Sequence, residues 1–130
     1  MDERKARAMI AEHFRHAGRD EVRASEIYSD DAVLEFPQGR ERLRGKANIL
    51  AMRTAFPVKL RFVVDRVTGQ GDLWVNEYTI TYGDDPPQTV VGIMEFSDSK
   101  VVRERIYITE PWVAPAWRAQ WVEPMDPPAR

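Results

Sequence analysis

Apolar residues recur at helical spacing at the start of the chain, with Ala6, Met9, Ile10, His13, Phe14 and Ala17 on one side. Charged residues such as Glu3, Arg7 and Glu12 fill the other, so the pattern predicts an amphipathic helix ending near Gly18. Asp20 can accept the free N–H groups of a following first turn, which predicts a second, short helix over 21–28 with Tyr28 leading out of it. Residues 32–36 then read as a strand, Pro37 to Gly39 as a turn, and Glu41 to Arg44 as a short return strand. After Gly45, the positions Ile49, Leu50, Met52 and Phe56 mark a third helix over 46–56, stopped by Pro57.

From there the period changes to two. Residues 58–68, 72–82, 88–96 and 101–110 are rich in Val, Ile, Tyr, Phe and Thr, and turn residues separate them at 69–71, 83–87 and 98–100. Four strands with short links predict an antiparallel meander. Three helices with an early hairpin and then the meander give an α+β class, in which a curved, mostly antiparallel sheet wraps around the helices.

Length and charge narrow the reading further. A chain of 130 residues accommodates one domain. Nineteen Lys and Arg against 21 Asp and Glu leave a net charge of −2, which disfavours a nucleic-acid partner. The absence of cysteine excludes disulfides, thiolate metal sites and cysteine nucleophiles. The N-terminal MDERKARAMIAEHF lacks the apolar block of a signal peptide, and no apolar run approaches the roughly 20 residues of a membrane span. No membrane partner and a cytoplasmic location are therefore expected. The tail from Pro111 holds three of the four tryptophans and five of the nine prolines. Pro115 can open a helical turn that sets Trp117 and Trp121 on one face, so the tail is expected to cover the open end of the sheet or a partner subunit.

The order of elements, with YSDDAVLEFP (residues 28–37) followed by Gly45 and a meander ending in ERIYITEPW, resembles the nuclear transport factor 2-like superfamily and within it the SnoaL-like, polyketide cyclase-like branch. The resemblance covers about residues 5–112. It implies a single SnoaL-like domain over 1–130 with a cone-shaped fold, three N-terminal helices packed on a strongly curved sheet and a ligand site between them. Matching the strands implies that Ala32, Leu34 and Phe36 point inward from the first strand, and Trp74, Asn76, Tyr78, Ile80 and Tyr82 from the second long one. Val90, Gly92, Met94 and Phe96, then Val102, Glu104, Ile106, Ile108 and Glu110, complete the inner set. On the opposite face Glu95 stands across from Arg103, given a three-residue turn at Asp98 to Lys100. That half-apolar face is either solvated or, as the resemblance implies, the interface of a homodimer.

The known chemistry of such folds is not reproduced residue by residue. A ketosteroid isomerase would carry its aspartate base where Phe36 stands, its second aspartate near Gly92 and its helical tyrosine near Glu12 or His13. The arginine between two aspartates of limonene epoxide hydrolase falls on Tyr78, Ile80 and Ile106. The aspartate of SnoaL-type cyclases falls on Thr109, with Glu110 beside it.

His13 and Glu104 remain as catalytic candidates. His13 sits on the apolar stripe of the first helix, either as a proton relay or as a core histidine bonded to a backbone carbonyl. Glu104 is an acid on the inner face, either a general base in an apolar pocket or, at a strand end open to water, paired with an arginine. Phe14, Leu34, Phe36, Trp74, Asn76, Tyr78, Gly92, Met94, Ile106, Ile108 and Glu110 are the expected lining, with Asn76 and Tyr78 offering an amide and a phenol to a ligand oxygen. No metal and no cofactor are expected, because His13 and His16 lack a third ligand and the glycines form no phosphate loop. Three readings follow: binding of a small hydrophobic, carbonyl-bearing or cyclic molecule with cofactor-free proton transfer; non-catalytic binding of such a molecule; or a structural dimerisation domain whose pocket its own tail closes. The first two need a chamber on the scale of ligand sites, roughly 300–1,000 Å3, and an inner cavity below about 100 Å3 would sink both.

Overall fold

The computed structural model describes residues 1–128; Ala129 and Arg130, the end of the predicted tail, lie outside it. Helix α1 (Glu3–His16) begins where the Asp2 carboxylate accepts the Lys5 N–H at 3.0 Å. It presents Ala6, Ile10 and His13 to the interior. Gly18 turns the chain with φ +79°, and a Cβ there would meet the Leu60 carbonyl oxygen at 2.6 Å, so only glycine lets the end of α1 approach the sheet this closely.

Asp20 caps α2 (Glu21–Ala24) by accepting the Arg23 N–H at 3.1 Å. The predicted helix over 21–28 is shorter: a turn of 3-10 helix over Ser25–Ile27 ends it, because Tyr28 already belongs to the sheet. Strand β1 (Tyr28–Phe36) thus starts four residues before its alternating apolar pattern does. It is followed by β2 (Glu41–Arg44), α3 (Lys46–Thr54), β3 (Leu60–Gln70), β4 (Leu73–Tyr82), β5 (Gln88–Ser97) and β6 (Lys100–Ile108).

One six-stranded sheet runs in the order β2-β1-β6-β5-β4-β3. The meander is antiparallel as expected, and the parallel pairing of β1 with β6 joins it to the early hairpin. That pairing sets Leu34 opposite Glu104, so the first and last strands jointly place the acid. Between β5 and β6 the turn is tighter than expected, with Asp98 and Ser99 both at positive φ (50° and 65°) and Ser97 paired with Lys100. An extra residue, Val102, then restores the register in which Glu95 faces Arg103. The inward residue is therefore Val101, fully buried, and not Val102.

The helices pack on the curved sheet over a core that includes Ile10, Ile27, Leu34, Ile49, Trp74 and Met94. Strand β6 ends at Ile108, and the Thr109 N–H and hydroxyl both bond the Thr89 carbonyl, at 2.9 and 2.7 Å. In the tail a 3-10 turn (Ala116–Trp121) follows Pro115. Its tryptophans do not cover this chain's own sheet: Trp112 is 80% exposed, and Trp117 and Trp121 are each 72% exposed. Arg118 lies 5.9 Å from the ring centres of Trp112 and Trp117, a contact within the tail itself.

Candidate functional site

Between α1, α3 and the inner face of the sheet lies an apolar chamber of about 90 Å3. Helix α1 contributes His13 and Phe14, and the strands contribute Phe36, Phe62, Tyr78, Ile106 and Ile108 among others. Phe14 stacks at 4.8 Å from Tyr78, with Phe62 6.0 Å from the same ring, which fixes the aromatic wall. No tail residue lines the chamber among those described, so the tail does not close it. Taken alone, about 90 Å3 is below the roughly 100 Å3 at which both binding readings fail, so they stand only with room outside the chamber for part of the ligand. The chamber is not sealed, however. Glu21, Arg53, Phe56 and Leu60 line both it and an outer groove of about 450 Å3.

The polar groups in this setting form one connected chain. Glu104, at 1% exposure, accepts a short hydrogen bond from the Tyr28 hydroxyl on Oε1. Arg53 on α3 donates from Nη1 to the Tyr28 oxygen at 2.8 Å, and its Nη2 stands 3.7 Å from the same Oε1. The guanidinium also lies 5.3 Å from the centre of the Tyr28 ring. Glu104 thus combines the two sequence alternatives: it is buried rather than open to water, and it is held by a buried arginine through a tyrosine. Its other oxygen, Oε2, stands 3.5 Å, and the Tyr78 hydroxyl 3.7 Å, from the place a Cβ on Gly92 would occupy. Gly92, having no side chain, leaves the space between strands that both groups border.

Burial pushes the Tyr28 phenol well above its ordinary pKa even against the pull of Arg53. Burial, and then the Glu104 charge, raise Tyr78 as well. Both remain hydrogen-bond donors across the working pH range. His13 is buried, and its Nδ1 lies 2.7 Å from the Ala24 carbonyl. A carbonyl only accepts, so Nδ1 carries the proton and Nε2 is left as an acceptor. Burial lowers the imidazole's pKa, opposed by Glu104, so the ring is neutral. His13 therefore lines the chamber and also makes the backbone bond of a core histidine, tying α1 to α2.

Of the expected lining, His13, Phe14, Phe36, Tyr78, Glu104, Ile106 and Ile108 reach the chamber. Leu34, Trp74 and Met94 do not: each is fully buried in the core. Asn76 is also fully buried off the chamber, with neither amide atom hydrogen-bonded. Glu110 is exposed two residues beyond the end of β6 and takes no part. Tyr28 and Arg53 were absent from the sequence candidates. On the outer face Glu35 accepts from Arg42 at 2.8 Å and from Arg103 at 2.9 Å, and Glu95 lies 3.8 Å from Arg103.

A SnoaL-like domain model matches residues 6–104. No curated protein matches the chain. Among solved structures, an NTF-2 like protein of unknown function from Burkholderia xenovorans LB400 is 41% identical over 95% of this chain and 97% of that one, with a TM-score of 0.85. A candidate ketosteroid isomerase from Kribbella flavida is 25% identical over 97% and 95% of the two chains, with a TM-score of 0.87. An LEH-like epoxide hydrolase from M. tuberculosis, 21% identical over 81% and 83% with a TM-score of 0.69, shares the fold.

Proposed function

Because this chain belongs to the SnoaL-like family, we propose that its chamber binds a small, mostly apolar molecule bearing a carbonyl or hydroxyl oxygen and transfers a proton on it without a cofactor. The observation that carries this reading is that Glu104 and Tyr78 both line the chamber, with Glu104 Oε2 and the Tyr78 hydroxyl each within 4 Å of the place a Gly92 Cβ would occupy, among aromatic and aliphatic side chains. Tyr28 and Arg53 engage Oε1 and hold the carboxylate in place, so Oε2 is the basic atom. Glu104 would take a proton from the carbon next to a carbonyl, the C–H electron pair would pass into the enolate, and Tyr78 would donate a hydrogen bond to the oxygen as it gains charge. Return of the proton to the same or a conjugated carbon completes an exchange or an isomerisation.

The probe is deuterium uptake by cyclopentanone in D2O, followed by NMR. Wild-type protein should accelerate exchange, Glu104→Gln should lower the rate by about 100-fold or more, and Tyr78→Phe by about 10- to 100-fold. Equal rates for wild type and Glu104→Gln would falsify the catalytic assignment, and a bound molecule detected by native mass spectrometry in that case would support the binding module instead. A homodimer through the outer sheet face belongs to the same proposal: Tyr107, Val91 and Ile93 lie there only partly covered.

A further inference from the structure

The groove outside the chamber has a composition of its own. Val22, Phe56 and Val58 all line it, and these three are among the large apolar side chains that the described residues leave exposed. Beside them stand five charged residues that are not equivalent, of which Arg53 is already engaged with Tyr28 and Glu104. The Glu21 carboxylate accepts the Gly18 N–H at 2.6 Å, and Asp20 caps α2 and lies 3.6 Å from Arg23. Both acids are engaged in building the loop. Arg19 and Lys59 line the same groove and form no ion pair among the described residues. The groove therefore offers an apolar rim and two uncommitted cations, and it borders the chamber, sharing Arg53, Phe56 and Leu60 with it.

We infer that the ligand is an amphipathic carboxylate, whose apolar body enters the chamber and lies against Phe56 and Val58 while its anionic end stays in the groove against Arg19 and Lys59. The inference rests on the chamber being a ligand site and names the class of molecule it takes. It also accounts for the small chamber: about 90 Å3 holds the leading part of such a molecule, and the groove holds the remainder. A neutral apolar ligand would leave both cations idle. An anionic end directed inward would instead meet the buried Glu104 carboxylate.

The test compares octanoate with octan-1-ol by isothermal titration calorimetry at low salt, on wild type and on Arg19→Gln/Lys59→Gln. Two partly exposed ion pairs predict that wild type binds octanoate about fivefold or more tighter than the alcohol. The double variant should lose that preference while binding octanol as wild type does, and added NaCl should erode the preference in wild type. Equal affinities in wild type, or a preference that survives in the double variant, overturn the inference and leave the chamber reading standing because octanol still binds. Binding of neither probe overturns both.

Discussion

Replacing Arg53 with methionine removes the cation from a carboxylate that is almost wholly buried. The Arg53 side chain is 16% exposed and the Glu104 side chain 1%, so the pair sits largely out of water. Removing one partner of a buried ion pair costs about 3–5 kcal/mol, because the other charge is left uncompensated. Arg53 reaches Glu104 at 3.7 Å and bonds it only through Tyr28, and it keeps some solvent contact, which reduces the expected loss to about 2–4 kcal/mol. Glu104→Gln keeps an oxygen for the Tyr28 hydroxyl but leaves the Arg53 cation without its counter-charge, which its partial exposure relieves in part, so it should cost about 1–3 kcal/mol. The double variant has neither buried charge. Its loss should therefore fall short of the sum of the two singles by about 1–2 kcal/mol, the coupling energy of the pair.

Equilibrium urea unfolding of the four proteins measures this cycle, with midpoints compared at a common slope. Tyr28→Phe adds a third corner: if the hydroxyl relays the interaction, the Arg53–Glu104 coupling should shrink in its absence. A loss below about 1 kcal/mol for Arg53→Met, or additive singles, would refute the account, since a buried carboxylate that tolerates loss of its cation was not held by it.

Three further expectations follow from the same structure. Asn76→Val should raise the urea midpoint by the equivalent of about 1–2 kcal/mol, since both buried amide atoms lack partners and valine suits a central strand; a lower midpoint contradicts this. The folded-state pKa of His13 lies below its ordinary 6.5, so its contribution to stability is complete above about pH 6.5 and declines as pH falls below it; His13→Gln should remove the part of that decline that begins just below pH 6.5, and an identical pH profile for both proteins counts against it. Tyr107→Glu on the outer face should convert a dimer to monomer by sedimentation velocity, a cleaner perturbation than reversing Arg103, which would also break that residue's bonds to Glu35; an unchanged sedimentation coefficient rejects this interface.

Much of the fold could be read from the chain because its patterns are local. The period-two runs from residue 58 onward and the helical stripe of α1 give the elements nearly to their ends. The parallel pairing of β1 with β6 could not be read in this way, because it joins segments about 70 residues apart and its irregularity between Tyr28 and Val33 has no counterpart in the alternation. That pairing brings Tyr28 into the sheet and its hydroxyl to Glu104. The tight turn at Asp98 and Ser99 was missed for a different reason. Neither residue is glycine, yet both adopt positive φ, and the extra Val102 cancels the one-residue difference before Glu104 is reached.

Arg53 did leave a signal. It lies four residues after Ile49, the buried residue of α3, and so falls on the face that packs against the sheet. A lone arginine on an apolar stripe, and a lone glutamate on the inner period of a strand, are each costly to bury. Together they imply a contact between elements that neither segment predicts alone. The same reasoning locates the acid of this site. Phe36 ends β1 where an acid would be expected from the resemblance to ketosteroid isomerase, and it forms part of the apolar wall instead. Glu104 lies on β6, paired with Leu34 of β1, and needs the cation from α3 and the hydroxyl from the start of β1 to remain there. Moving an acid within this fold therefore requires three elements to change together, which makes Tyr28, Arg53 and Glu104 a single unit for substitution as well as for chemistry.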